Sequence, residues 1–208
     1  MLDFSLDTNL GGYYEYMNKK AQGFTIVELL IVIVVIAILA AISIAAYTNI
    51  QQRAKNTAII NAASQSLKMI EAYVAANGTY PATWSSCITV ESGCQADPTT
   101  DTVVSVSPIF NARMATIGTL PKSVPVEGGR LCGVTYSYAS LTTFDGVSRP
   151  VVLRYYLLGK DQQCGIQGVM KRTGVLSVLV TSTDGFTSYI AGLGKTECVI
   201  SIPGPAHS

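Results

Sequence analysis

Charge is scarce in this chain of 208 residues. Asp, Glu, Lys and Arg make up 13% of it, roughly half the share of an ordinary soluble domain, while hydrophobic residues make up 49%. The 14 basic and 13 acidic residues nearly cancel, leaving a net charge of +1. A binder that holds nucleic acid by its phosphates needs a clear basic excess, so no nucleic-acid partner is expected. Disorder as the dominant state is excluded as well, because the chain is apolar and nearly neutral. Histidine is almost missing: His207 stands alone beside the C-terminus. Nucleophilic catalysis of the Ser/His/Asp or Cys/His kind needs an oriented imidazole, so the chain is not expected to be an enzyme. Cysteine occurs five times but never as C-x-x-C, which removes zinc-ribbon and thioredoxin-type sites. Asp161 and Asp184 lack the regularly spaced oxygen ligands of a calcium loop. No metal and no cofactor are expected.

The apolar excess is concentrated in one place. Leu29 to Tyr47 reads LLIVIVVIAILAAISIAAY, and no charge lies between Glu28 and Arg53. As a helix, Phe24 to Tyr47 spans roughly 36 Å, enough for a bilayer core of about 30 Å. A single membrane-spanning helix is expected. Lys19 and Lys20 precede it, and short Lys-rich flanks stay cytoplasmic, so the residues after the span belong outside. A secretory signal has a shorter apolar stretch followed by small residues at a cleavage site, and neither feature is present. A compact boundary comes before the run instead: Lys19-Lys20-Ala21-Gln22-Gly23, then Phe24-Thr25-Ile26-Val27-Glu28.

That junction, continued as GFTIVELLIVIVVIAILAAISIAAY, closely resembles the N-terminal signature of type IV pilins and the related pseudopilins. The resemblance implies that a prepilin peptidase cuts after Gly23 and that the new N-terminus, Phe24, is methylated. It implies a structural subunit that polymerises, alone or with other pilins, through an inner-membrane assembly platform. The subunit would pass from a single-pass precursor in the cytoplasmic membrane to an extracellular pilus. It also gives Glu28 a role: its carboxylate pairs with the Phe24 amine of a neighbouring subunit. An acid next to apolar residues needs such a partner, because an unpaired charge in a medium of low dielectric is costly and a paired one tolerable. Glu28 also lies one turn into the helix, where it suits the positive end of the dipole. The alternative within the resemblance is a minor pseudopilin of a type II secretion system. The major pseudopilin usually carries a calcium-binding, Trp-containing C-terminal motif, whereas Trp84, the one Trp here, is far from that end.

Ala37, Ala41 and Ala45 recur at a spacing of four and form a stripe along which helices can approach closely. Many family members carry Gly and Pro in this helix, and the matching positions here hold Ala37 and Ala45. Ala breaks neither the hydrogen-bond ladder nor the steric fit, which implies a straighter span.

The expected fold is α+β: a long N-terminal helix, half in lipid and half amphipathic, packed on an antiparallel β-meander. The divisions are a cytoplasmic leader at 1–23, the assembly helix at 24–47, its amphipathic continuation at 48–76, a connecting region at 77–130, and sheet with C-terminal loop at 131–208. Ile59, Ala63, Leu67, Ile70 and Val74 mark the buried face of the continuation. Asn77-Gly78 supplies the stop. In the connecting region Ser107, Pro108 and Gly118 read as N-cap, first position and C-terminal stop of a short helix. Strands are expected at 131–140, 151–158, 175–182 and 198–202. Val152, Arg154 and Tyr156 form the wet side of the second. Lys171-Arg172, Arg149 and Arg154 read as solvated turn and strand positions.

Five cysteines in an oxidising space allow at most two disulfides. Cys87 and Cys94 are close enough in sequence to close a local loop. Cys164 with Cys198 would staple the C-terminal loop to the sheet, as in pilins, and leave Cys132. Cys132 with Cys164 stays open as the alternative.

Overall fold

The computed structural model describes residues 23–95, 103–122, 133–138, 143–144, 147–148, 151–173, 176–180, 185–202 and 204–205. The leader, Cys132 and Arg149 lie outside them. Residues 26–77 contain neither Gly nor Pro and are rich in Ala, so nothing interrupts the i→i−4 ladder. They form α1, Ile26–Asn77, of 52 residues. Gly78 ends it with a φ of 69°, and its N–H donates to the Val74 carbonyl at 2.8 Å. The Asn77 side chain donates to the Tyr73 carbonyl at 2.9 Å. These are the capping bonds the last turn needs.

The chain divides into two units, Met1–Ala45 and Ala46–Ser208. In the first, the residues from 23 to 44 are all exposed, with the large apolar side chains running from 46% at Val34 to 87% at Phe24. Among the described residues α1 is the one helix long and apolar enough to cross a membrane. Ser43 donates its hydroxyl to the Leu39 carbonyl at 2.7 Å, so the polar side chain within the run is satisfied by its own helix.

The second unit holds the sheet. Its strands are β1 (Ser86–Cys87), β2 (Cys94–Gln95), β3 (Val103–Val104), β4 (Thr135–Tyr138), β5 (Thr143–Phe144), β6 (Val147–Ser148), β7 (Val151–Leu158), β8 (Val169–Thr173), β9 (Leu176–Val180), β10 (Ser188–Ile190) and β11 (Lys195–Ser201). Seven described strands join in one antiparallel sheet, ordered β1-β4-β7-β11-β8-β9, with β10 also on β11. β2 pairs with β3 and β5 with β6 in two small hairpins.

The sheet is antiparallel as expected, but the strands are not laid down in simple series. The last strand enters the middle. β7 covers one edge of β11 from Lys195 to Ser201, while the other edge is shared between β10, at Lys195–Glu197, and β8, at Ile200. The reason is burial. Every residue of β11 after Lys195 is buried, so both its faces and both its edges must be covered.

One face of the sheet packs on α1. Ile59, Ala63, Leu67, Ile70 and Tyr73 share a core with Tyr136, Leu153, Tyr155, Leu157, Cys198 and Ile200. Tyr73, rather than Val74, completes the helix's contribution; Val74 is half-buried at the margin. Buried polar groups are paired within this core. Ser66 donates to the Ala62 carbonyl at 2.8 Å, Tyr136 to Ala82 at 2.7 Å and Tyr155 to Cys164 at 2.6 Å. Burial pushes both phenols well above their ordinary pKa, so they remain neutral donors.

The other face of β7 is drier than its alternation suggests. Val152 and Tyr156 are 3% and 4% exposed, and Val152 joins Met170 and Val199 in a second small cluster. Register explains this: Val152 sits opposite Ser201 and so diagonal to Val199, which brings apolar side chains of adjacent strands together. Arg154, the charged residue of that row, is half-buried 3.6 Å from the Glu197 carboxylate, which also accepts from the Ser188 hydroxyl at 2.6 Å.

The connecting region carries a second helix, α2 (Pro108–Met114), capped as the sequence suggests: the Ser107 hydroxyl accepts from the Phe110 N–H at 3.2 Å. Its end differs. α2 stops at Met114, and Gly118 is not left-handed. Tight turn bonds from Thr116 to Arg113 and from Ile117 and Gly118 to Met114 already satisfy the last carbonyls.

Candidate functional site

The N-terminal turn of α1 is built by a four-residue pattern, Thr25-Ile26-Val27-Glu28. Thr25 is the cap. Its Oγ1 accepts from the Glu28 N–H at 3.2 Å. Glu28 reaches back, and its Oε2 accepts from the Thr25 N–H and from the Thr25 hydroxyl, both at 2.8 Å. This is a capping box: two otherwise unpaired donors at the helix start are satisfied reciprocally. The Glu28 carboxylate is thereby held back at Thr25, on the first turn of the helix. Its Oε1 accepts no hydrogen bond among the described residues. Sequence reasoning found the acid and missed its partner, although T-x-x-E ahead of an apolar run was legible.

Two residues in front of this box stand out because the described part of the fold makes no use of them. Phe24 is 87% exposed. A Cβ placed on Gly23 would meet nothing within 4 Å, and its φ is not in the left-handed region. Neither space nor backbone conformation calls for glycine there. Ala37 and Ala41 lie exposed on α1, and Ala45 belongs to the same helix, so the three follow one another turn by turn.

In the second unit the four described cysteines are joined in two pairs. Cys87 bonds to Cys94 with a Cα–Cα distance of 5.2 Å, and Cys164 to Cys198 with 5.7 Å. The second bond ties the segment after β7 to the centre of β11. Near it a polar clip fixes α1 on the sheet. Asn56, 6% exposed, donates Nδ2 to the Leu158 carbonyl at 2.9 Å and accepts the Leu158 N–H on Oδ1 at 2.8 Å. Gln52 adds a second donor to that carbonyl at 2.8 Å, and Gln162 accepts from Asn56 Nδ2 at 3.3 Å. The Asn56 amide thus serves the end of β7 as a strand's backbone would. No apolar periodicity reveals such a residue.

Comparison with known proteins agrees with the N-terminal geometry. Residues 18–44 match the family model of the prokaryotic N-terminal methylation motif. Over 94 residues the chain is 34% identical to the type IV wide pilus major component PilA4 of Thermus thermophilus, covering 45% of this chain and 70% of that protein. No solved structure matches the chain significantly. With the methylation motif at its N-terminus, the long apolar helix and the antiparallel sheet behind it, the chain belongs to the type IV pilin family.

Proposed function

We propose that this pilin is made as a prepilin, cut by a prepilin peptidase between Gly23 and Phe24, methylated on Phe24, and polymerised through its N-terminal helix into a surface fibre. The observation that carries the reading is the pairing of an unused glycine with a prepared carboxylate. Gly23 is not required by the fold, so its lack of a side chain serves a partner, here the cleft of the peptidase. Glu28 is the fifth residue after the bond to be cut, and Thr25 holds it by one oxygen and, among the described residues, leaves the other open. An incoming ammonium group, the Phe24 N-terminus of a neighbour, fits that open oxygen.

Residues 1–23 then form the leader on the cytoplasmic side, 24–47 the membrane and assembly helix, 48–76 its continuation in the outer domain, 77–130 the connecting region and 131–208 the sheet with its C-terminal segment. Before assembly the exposed side chains from Phe24 to Ile44 lie in lipid; afterwards they lie against other copies, where the stripe of Ala37, Ala41 and Ala45 permits close approach. The product is a structural subunit.

Glu28→Gln tests the pairing. It keeps shape and removes charge. Cleavage after Gly23 proceeds as in the unaltered chain, because the bond's flanking residues are untouched, while fibre yield falls sharply. Normal yield of sheared fibres from cells that make only the Glu28→Gln chain refutes the role given to Glu28.

A further inference from the structure

Trp84 is the only tryptophan of the chain, and neither the core nor the N-terminal helix uses it. It is 50% exposed. Its position is nevertheless fixed. The indole N–H donates to Ser107 Oγ at 3.1 Å, the same oxygen that caps α2, and the Ser107 N–H donates to Ser86 Oγ at 3.0 Å. One turn on, Phe110 is fully buried and packs on the Tyr136 ring at 4.9 Å. The ring is therefore anchored to the rigid start of a helix rather than to a free loop.

Beside it lies an open cleft of about 390 Å³, lined by Trp84, Ser85, Ser105, Pro108 and Ile109 among others. That volume falls within the range of ligand sites, about 300–1,000 Å³. Ile109 is 46% exposed and Pro108 is exposed. The described residues that line the cleft carry no charge.

These features select a ligand chemistry. The one polar atom of the indole is already engaged, so the ring offers only its electron-rich face, which attracts polarised C–H groups. The serine hydroxyls at the rim both donate and accept. A charged ligand would give up hydration here without gaining a counter-charge from the described lining. A neutral pyranose has the matching surface: one face of C–H groups and an edge of hydroxyls. We propose that the Trp84 cleft binds a sugar ring of a neutral saccharide. The proposal does not rest on fibre assembly, because every residue it uses lies within the second unit of a single chain.

Trp84 also supplies the test, since the intrinsic tryptophan emission of this protein comes from the cleft alone. The full chain, held in a zwitterionic detergent without sugar groups, is titrated with maltotriose, cellotriose and chitotriose. A saturable change in emission with at least one of them, in the millimolar range, is the expected result. Calorimetry then shows binding lost in Trp84→Ala and weakened several-fold in Trp84→Phe and Ile109→Ala. Trp84→Phe and Ile109→Ala keep the thermal unfolding midpoint of the unaltered chain, which separates lost binding from lost folding. No saturable change with any of the three sugars up to their solubility limits overturns the proposal. So does emission that follows protein concentration instead of sugar, with oligomeric state altered in Ile109→Ala, because the cleft would then cover a second copy of the chain.

Discussion

Asn56 offers the sharpest perturbation of the second unit. Its amide holds both backbone groups of Leu158, the last residue of β7, at 2.8 and 2.9 Å. Asn56→Ala leaves the Leu158 carbonyl with Gln52 but takes the acceptor from the Leu158 N–H. A buried donor left without a partner costs about 1–3 kcal/mol. For a domain of this size that is a fall in Tm of roughly 2–4 °C per kcal/mol. Amide exchange at Leu158 should quicken in the same variant. Asn56→Asp is the discriminating change. It keeps the acceptor for the N–H but turns a carboxylate oxygen toward the Leu158 carbonyl and Gln162 Oε1, both acceptors. Near neutral pH its deficit exceeds that of Asn56→Ala. Burial against acceptors raises the folded-state pKa of the new acid above its unfolded value of about 3.9, so the folded variant binds its proton more tightly. The deficit is therefore full above the folded-state pKa and shrinks as pH falls through it toward the unfolded value. Thermal unfolding of the detergent-held chain, followed by circular dichroism from pH 7 to pH 4, reads both effects. The reasoning is refuted if Asn56→Ala unfolds at the temperature of the unaltered chain. A deficit of Asn56→Asp that stays constant with pH refutes it equally.

Four further outcomes follow from the packing and cross-links of the second unit. Leu67→Asp, at a position 9% exposed, forfeits about 1.5–3 kcal/mol of apolar burial and adds a buried charge, so the unfolding midpoint should drop by several degrees or the sheet fail to form; an unchanged midpoint places the core elsewhere. Removing the Cys164–Cys198 bond by paired Ser substitutions opens the longer loop, with a sequence separation of 34, and costs about 3–4 kcal/mol in denaturant unfolding. Removing Cys87–Cys94, with a separation of 7, costs about 2–3 kcal/mol, and the reverse ranking contradicts the loop argument. Gly204→Ala sets a Cβ against the Tyr80 hydroxyl, whose ring is buried, and should lower stability by about 1–3 kcal/mol while Gly192→Ala, with open space around it, does not.

What the sequence disclosed, it disclosed through local signals. The absence of Gly and Pro over 26–77, the Asn77-Gly78 stop, the Ser107-Pro108 start and the bounds of the 151–158 strand all depend on neighbouring residues. What it concealed depends on distant ones. β8 contains Lys171 and Arg172 and reads as a polar turn until β9 and β11 are placed beside it. β1 is two residues long in a Ser-rich stretch and becomes a strand through its pairing of Ser86 with Tyr136. β11 takes the centre of the sheet because two separate segments share its far edge, which no strand-by-strand reading reveals. At the N-terminus Gly23, Phe24 and Glu28 were legible as a motif, and T-x-x-E also carried the Thr25 cap, which that motif overshadowed. The Asn56 clip was hidden because a polar residue in an apolar face reads as an interruption, not as a strand partner.

The central claim is that a prepilin becomes a fibre subunit at the Gly23–Phe24 bond. Intact-mass and N-terminal fragment spectrometry of material sheared from the cell surface tests it most directly. The account predicts one species running from residue 24 to the C-terminus, beginning with an N-methylated Phe24 and carrying two disulfides. A surface-derived chain that retains residues 1–23, or one that begins after the apolar run at Tyr47, contradicts it.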